Sequence, residues 1–277
     1  MSGPVALALG TLDVDNSSTI SGAMTHTASS SIDVASGKAL TYSGAGVSLG
    51  AYTLTLLGGG TFSNTNALSL GNGSSVLNIT GTNTISGPVA LALGRLDIDE
   101  DSTISGALTH TASSSIDIAS GKTLTYSGAG VSLGAYTLTL LGGGTLSNTN
   151  ALSLGNGSSV LNITGTNTIS GPVALALGRL DIDENASISG AITHTASSSI
   201  DIASGKTLTY SGAGVSLGAY TLTLLGGGTF SNTNALSLGN GSSVLNITGT
   251  NTISGPVALA LGRLDIDEDS TISGAIL

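Results

Sequence analysis

Short stretches in which apolar and polar residues alternate recur along the whole chain. Near the start they occupy positions 6–9, 12–14 and 19–21. Alternation with a period of two residues is typical of a half-buried β-strand. Clusters of Gly, Asn and Ser, such as 58–60 and 71–73, separate these stretches and predict turns. No stretch has helical periodicity, so the chain is predicted to be all-β.

The chain also repeats itself at a fixed interval. The string SGPVALALG begins at Ser2, Ser86, Ser170 and Ser254, and the spacing between successive copies is constant. A fixed period predicts a solenoid, in which each repeat stacks on its neighbours. The predicted organisation is one continuous solenoid of repeat unit 1 (3–86, four coils), repeat unit 2 (87–170), repeat unit 3 (171–254) and a partial unit 4 (255–277).

Each repeat divides further into four segments that end on a recurring Thr-x-Ser phrase. In the first repeat these segments are similar in length: Gly3–Ser21, Gly22–Ser43, Gly44–Ser63 and Asn64–Ser86. Each segment holds three short alternating stretches. Three short strands per coil of about 21 residues predict a parallel β-helix, or β-solenoid.

Differences among the copies indicate which side chains face the core. Val14 is replaced by Ile in the later copies, and Phe62 alternates with Leu146. Such swaps keep apolar bulk, as an inward position requires. The predicted inward columns are Leu7/Met24/Val47/Leu68, Leu12/Ile32/Leu54/Leu77 and Ile20/Tyr42/Phe62/Ile85. An outward column of threonines is expected at Thr19, Thr41, Thr61 and Thr84.

Composition and charge restrict the function classes. Disorder requires low hydrophobicity and high charge, whereas 40% of the residues are apolar and 8% are charged. The net charge of −10 argues against nucleic acid and against an anionic membrane surface. No apolar run approaches the roughly 18 residues of a spanning helix, so membrane insertion is not expected. The absence of Cys excludes disulfides, thiolate metal sites and Cys nucleophiles.

Carboxylates are the first candidates for chemistry. Alignment of the coils places Asp13 and Asp33 in one outward column on adjacent coils. Like charges about 5 Å apart repel each other, and a Ca²⁺ ion would relieve that repulsion. The Ca²⁺ candidates are Asp13, Asp33, Asp97, Asp99, Glu100 and Asp117. The favoured alternative is a solvated acidic face, partly neutralised by Arg95 and its copies, because no glycine-aspartate calcium loop is present; no cofactor is therefore expected.

The three histidines are His26, His110 and His194. The alignment places His26 in the column of Leu9, Leu49 and Leu70, facing inward or at a corner. Its copies are four coils apart, about 19 Å at the usual strand spacing, which is too far for one shared metal ion. A packed, hydrogen-bonded structural role is therefore the favoured interpretation.

Catalysis and ice binding are less favoured functions. A catalytic site is normally singular, whereas every repeat carries the same acids, so the chain is predicted not to be an enzyme. Thr-x-Thr phrases at 25–27, 53–55 and 82–84 would favour ice binding if they formed a flat array. They align to different sides of the coil and form no continuous flat surface. Ice binding is therefore kept only as an alternative.

The chain resembles the β-helical repeat regions of large bacterial surface and secreted adhesins, of the filamentous-haemagglutinin and autotransporter-passenger kind. The residues that carry the resemblance are Leu40–Gly44, Tyr52–Leu56 and Thr19–Gly22. The resemblance covers essentially the whole chain and implies a right-handed β-helix, export, and a stalk or display role. Copies this similar are equally typical of a consensus or engineered repeat, and the absence of a signal-peptide pattern at Met1–Pro4 favours an excised or engineered segment.

The expected function is a structural rod, stalk or filament-forming segment, extracellular or at the cell surface. Open strand edges at the ends of a β-helix favour pairing with other chains, so a homo-oligomer or a fibre formed end to end is expected. The alternative is a surface binding module that contacts a glycan or Ca²⁺ on its outer face.

Overall fold

Each predicted coil folds into three short strands, which pair in parallel with the equivalent strands of the next coil. The computed structural model describes all residues, Met1–Leu277, and contains 39 strands and no helix. Three strands per coil give a parallel β-solenoid of about 13 turns. The predicted fold class, the three strands per coil and the coil length of about 21 residues are therefore confirmed.

The strands follow the sequence repeat. The first repeat contains β1 (Val5–Leu7), β2 (Thr11–Val14), β3 (Ser18–Ile20), β4 (Met24–His26), β5 (Ser30–Val34), β6 (Ala39–Tyr42), β7 (Val47–Ser48), β8 (Thr53–Gly58), β9 (Thr61–Asn64), β10 (Leu68–Leu70), β11 (Val76–Ile79) and β12 (Thr84–Ile85). The second repeat contains β13 (Val89–Ala92), β14 (Arg95–Ile98), β15 (Ser102–Ile104), β16 (Leu108–Ala112), β17 (Ser114–Ile118), β18 (Thr123–Tyr126), β19 (Val131–Ser132), β20 (Thr137–Gly142), β21 (Thr145–Asn148), β22 (Leu152–Leu154), β23 (Val160–Ile163) and β24 (Thr168–Ile169).

The third repeat and the partial fourth repeat continue the same order. The third repeat contains β25 (Val173–Ala176), β26 (Arg179–Ile182), β27 (Ala186–Ile188), β28 (Ile192–Ala196), β29 (Ser198–Ile202), β30 (Thr207–Tyr210), β31 (Val215–Ser216), β32 (Thr221–Gly226), β33 (Thr229–Asn232), β34 (Leu236–Ser237), β35 (Val244–Ile247) and β36 (Thr252–Ile253). The partial repeat contains β37 (Val257–Ala258), β38 (Arg263–Ile266) and β39 (Thr271–Ile272).

Two compact units make up the chain. One consists of Met1–Val131 with Gly143–Thr149, and the other of Ser132–Gly142 with Asn150–Leu277. In each unit the strands lie on three faces, which we number in the order in which a coil meets them. The turn from the first to the second face is called the first corner, and the turn from the second to the third face is called the second corner.

The second and third faces are regular sheets within each unit. In the first unit their strand orders are β2-β5-β8-β11-β14-β17 and β3-β6-β9-β12-β15-β18-β21. In the second unit they are β20-β23-β26-β29-β32-β35-β38 and β24-β27-β30-β33-β36-β39. The first face is interrupted in both units, between β4 and β7 in the first and between β28 and β31 in the second.

The core is built from alternate residues of the strands. The positions at which the copies exchange apolar residues are buried, including Val14, Ile98, Phe62 and Leu146. This confirms that these positions face inward. Because burying a large aliphatic side chain stabilises a fold by about 1.5–3 kcal/mol, these columns are the main source of stability.

All three predicted columns are wrong by a shift of two residues between one pair of neighbouring coils. On the second face Ile32 pairs with Leu56, whereas Leu54 was predicted at that place. The carbonyl of Val34 accepts hydrogen bonds from the amides of Gly59 and Gly60, at 3.2 and 3.0 Å. Gly58 has φ +75° there, and a Cβ on it would lie 2.3 Å from the Val34 carbonyl oxygen. A shift of two keeps every side chain on its face, so the alternating pattern does not reveal it.

The same shift occurs on the third face. Tyr42 pairs with Asn64, whereas Phe62 was predicted at that place. Asn64 is buried and its amide nitrogen donates to the carbonyls of Asn66 and Pro88, at 2.9 and 2.8 Å. The strand therefore extends by one inward residue. The threonine column is broken at the same point, because Thr41 pairs with Ser63 and not with Thr61.

The first-face column is also corrected. Met24 pairs with Val5, and Leu7 pairs with His26. Strand β1 begins earlier than the pattern of positions 6–9 predicted. Leu9 was predicted to share an inward column with His26, but it lies in a turn with φ +64° and is 84% exposed.

Candidate functional site

The predicted acidic column is present on the second face. Asp97 pairs with Asp117 on the next coil, and the first repeat has the same arrangement of Asp13 and Asp33. Because paired residues of adjacent strands lie about 5 Å apart, two carboxylates here repel each other unless a cation lies between them.

Arginine provides that cation in the second and third repeats. The Arg95 guanidinium is 2.7 Å from Asp97 and 3.4 Å from Asp117. The copy at Arg179 makes the same two contacts, at 2.8 and 3.2 Å. In the first repeat Thr11 occupies the arginine position, and its hydroxyl is 2.7 Å from that of Ser31. The Asp13–Asp33 pair therefore has no arginine beside it.

Burial acts against the charged form of these acids. Desolvation raises the pKa of Asp97, Arg95 lowers it, and the neighbouring carboxylates of Asp117 and Asp99 raise it further. Desolvation is likewise the main cause of the raised pKa of Asp181 in the third repeat. The arginine therefore offsets a repulsion that the fold itself creates.

The remaining acidic candidates lie at the second corner. These are Asp99, which directly follows strand β14, and Glu100, whose carboxylate lies 2.6 Å from the Lys122 ammonium. The neighbouring Asp101 accepts the amide of Thr123 at 2.7 Å. No group of three or more His, Asp or Glu side chains is placed to hold a metal ion. The Ca²⁺ site stays a prediction. Calorimetric titration with Ca²⁺ tests it, and Asp13 and Asp33 are the best candidates because this pair has no arginine beside it.

The histidines face inward at the interruption of the first face. The His26 Nδ1 donates to the carbonyl of Leu49 at 3.1 Å, and His194 makes the same bond to Leu217. The Nε2 atoms of His26 and His194 are buried and make no hydrogen bond. Burial lowers the pKa of His194, although its hydrogen bond to the Leu217 carbonyl opposes the shift. These contacts support the predicted structural role.

A tyrosine hydroxyl makes a second connection across each interruption. The Tyr210 hydroxyl accepts the amide of Ile192 at 3.1 Å and donates to the carbonyl of Ala213. Desolvation raises the pKa of this phenol. A groove of about 310 Å³ lies beside it, lined by Thr193, His194, Thr195, Gly214, Ser216 and Gly218. Side chains thus replace the backbone ladder at this point.

The first corner carries exposed leucines that the alternating pattern did not predict. Leu93 and Leu177 are each 52% exposed and have φ values of +119° and +107°. A positive φ is unfavourable for leucine by about 1–3 kcal/mol. The glycine that follows is constrained as well, because a Cβ on Gly94 would lie 2.6 Å from the carbonyl oxygen of Ser75. The sequence signal for this turn was the Leu-Gly pair that closes each SGPVALALG string.

A tyrosine occupies the same corner once in each full repeat, that is, on every fourth coil. Tyr52 and Tyr220 are each 39% exposed, and each ring packs edge-on against a histidine, His26 and His194, at 5.9 and 6.1 Å. The ring of Tyr52 also covers Gly50, which has φ +59°. These rings are therefore partly exposed but fixed in place.

Charge is confined to one side of each coil. All six basic and all sixteen acidic residues lie on the second face or at the second corner. The Thr-x-Thr phrases lie on different strands, with Thr25 on β4, Thr53 on β8 and Thr84 on β12. The prediction that they do not align is confirmed. The first corner is left without charged residues.

Comparison with family models, with curated proteins and with solved structures found no match to this chain. None of its secondary structure is a helix of the length and apolarity needed to cross a membrane.

Proposed function

We propose that the chain is a structural rod segment of an extracellular repeat protein, without catalytic activity, and that copies of it associate end to end. Extracellular location rests on the resemblance to adhesin repeat regions. The even spacing of chemical groups supports the structural role, because each His, each tyrosine bridge and each acidic pair recurs once in every full repeat.

The open strand edge of the last coil is the observation that carries the proposal. Ile266 on β38 is 47% exposed, whereas its copies Ile98 and Ile182 are fully buried. An edge strand with unpaired backbone groups and exposed apolar side chains is a template for another strand. A second copy that pairs with β38 would bury this residue.

Charge supports the same pairing. Arg263 lies 2.9 Å from Asp265, but the position that Asp117 or Asp201 fills beside the other arginines is open. Asp13 of a second copy, which has no arginine of its own, fits that position if β2 pairs with β38. The contact would reproduce an ion pair that the chain already forms twice.

Short segments partly cover the other two edges. Ile276 bridges to Val257 on the first face, and the carbonyl of Met1 accepts the amide of Ser21 on the third face. Neither of these segments covers the second-face edges, which are formed by β2 and β38. Removing residues 274–277 should strengthen end-to-end association.

Sedimentation velocity over a range of concentrations, with negative-stain microscopy, tests the proposal. The wild type should grow into longer particles, and Arg263→Met should weaken this growth about tenfold, since one ion pair and its desolvation are lost. Arg179→Met is the matched control, which removes the same contacts inside the chain and should leave growth unchanged. A monomer at the highest concentration would contradict the proposal.

A further inference from the structure

The exposed apolar side chains of this protein are concentrated at the first corner. Apart from Met1 and the open edge of the last coil, the well-exposed large apolar residues are Leu9, Tyr52, Leu93, Tyr136, Leu177, Tyr220 and Leu261. All of them lie in the turn between a first-face strand and a second-face strand. We call this set the corner stripe.

The stripe has a regular spacing in each unit. Leucine and tyrosine alternate on every second coil, with Leu9, Tyr52 and Leu93 in the first unit. At the usual strand spacing, members of the stripe are about 10 Å apart. The coils between them carry small or polar residues at this corner, such as Ala28 and Gly73.

Packing within the chain does not explain the leucines. Leu93 and Leu177 hold a backbone conformation that suits glycine, and about half of each side chain is exposed to solvent. Strained residues that the surrounding fold maintains are enriched at functional positions. The tyrosines are fixed by their contacts with the histidines, so the stripe is a preformed apolar surface.

The distribution of charge selects the partner. The chain has a net charge of −10, so most surfaces of two copies repel each other. The corner stripe is free of charged residues, and the arginines two residues after Leu93 and Leu177 are each paired with two aspartates. A charged partner has no counterpart here, whereas an apolar and uncharged partner does.

We infer that the corner stripe is a lateral contact between two copies of this chain. A second copy presents the same apolar groups at the same spacing, so contacts repeat over successive coils and weak individual contacts add together. This lateral contact is independent of the end-to-end contact, because it uses the first corner and not the strand edges.

Removing the leucines without harming the fold gives the sharpest test. The triple variant Leu9→Gly, Leu93→Gly, Leu177→Gly places glycine where the backbone favours it. Small-angle scattering should show the wild-type cross-section increasing with concentration, and the triple variant should weaken this lateral association by about tenfold or more. The control Ala51→Gly, Ala135→Gly, Ala219→Gly changes the same corner and keeps the stripe, so it should behave as the wild type. An unchanged cross-section in the triple variant would overturn the inference.

Cross-linking keeps the inference testable if the triple variant does not fold. The chain has no cysteine, so Ala219→Cys introduces one thiol beside Tyr220, and Asp183→Cys introduces one at the second corner. Oxidation should link Ala219→Cys into disulfide dimers several-fold faster than Asp183→Cys. Equal rates, or faster linkage at position 183, would count against lateral contact. Arg263→Met separates the two contacts, since it should shorten particles without changing their cross-section.

Discussion

The two corners that flank the second face differ in residue composition. The second corner carries charges, and its residues differ between copies: Asn16 in the first repeat becomes Glu100 and Glu184 in the next two. The first corner carries no charge, and its leucines and tyrosines are the same in every copy although the leucine backbone is strained. A turn that only closes a coil tolerates exchange, as the second corner does. The first corner retains a costly residue, which is the behaviour of a contact surface.

The largest expected effect is on the free energy of unfolding. It distinguishes a leucine in strand β13 from a leucine in the turn that follows this strand. Leu91 is buried and Leu93 is exposed at the first corner. Leu91→Ala should lower the free energy of unfolding by about 2–5 kcal/mol, because it leaves a cavity. Leu93→Gly should change it by less than about 1 kcal/mol, since relief of strain offsets the entropy of glycine. Urea unfolding followed by circular dichroism measures both, and similar losses would contradict the assignment of Leu93 to a contact role.

A smaller effect is expected at the interruption of the first face. Tyr210→Phe removes the hydroxyl that connects Ile192 and Ala213 and leaves buried groups unpaired. The expected loss is about 1–3 kcal/mol. Tyr220→Phe, which alters a half-exposed ring of the corner stripe, should stay within about 0.5 kcal/mol. Equal losses would show that the interruption does not depend on this bridge.

Acid should weaken the second unit through a histidine. The pKa of His194 is lowered in the folded protein from its usual 6.5, so the unfolded chain binds a proton more readily. Stability is therefore full above about pH 6.5 and falls as the pH drops towards the folded pKa. The raised pKa values of Asp97 and Asp181 act in the opposite direction, because their unfavourable charge disappears at lower pH. His194→Gln should reduce the change in the urea midpoint between pH 7 and pH 5. An unchanged pH dependence of the midpoint would contradict this account.

The smallest effect belongs to the second corner. Glu184→Gln removes the 2.6 Å contact with Lys206, in which both side chains are partly exposed to solvent. Exposed ion pairs contribute about 0.2–1 kcal/mol and are screened by salt. The loss should vanish in high salt and should leave lateral association unchanged by sedimentation. A larger or salt-independent loss would remove the contrast between the two corners.

The alternating pattern and the alignment of the coils were sufficient to predict the three-strand coils and the pairing of Asp97 with Asp117. They were not sufficient for register, because a shift of two residues keeps the same face inward; Ile32 and Tyr42 were therefore assigned the wrong neighbours. In the shifted register Gly58 pairs with Val34 and has a positive φ, which the composition of the turn does not specify. Leu9 was misplaced because it continues the alternation of positions 6–9, whereas the backbone turns at Leu9 with a φ of +64° and leaves its side chain exposed.

Mass per unit length, measured on unstained particles by electron scattering, tests the central claim most directly. A single solenoid contains about 21 residues for each 4.8 Å of length. The account predicts elongated particles with twice that mass per length for the wild type, and with the single value when Leu9, Leu93 and Leu177 are replaced by glycine. Wild-type particles of single mass per length would contradict lateral contact through the first corner, and particles that do not elongate with concentration would contradict the end-to-end contact.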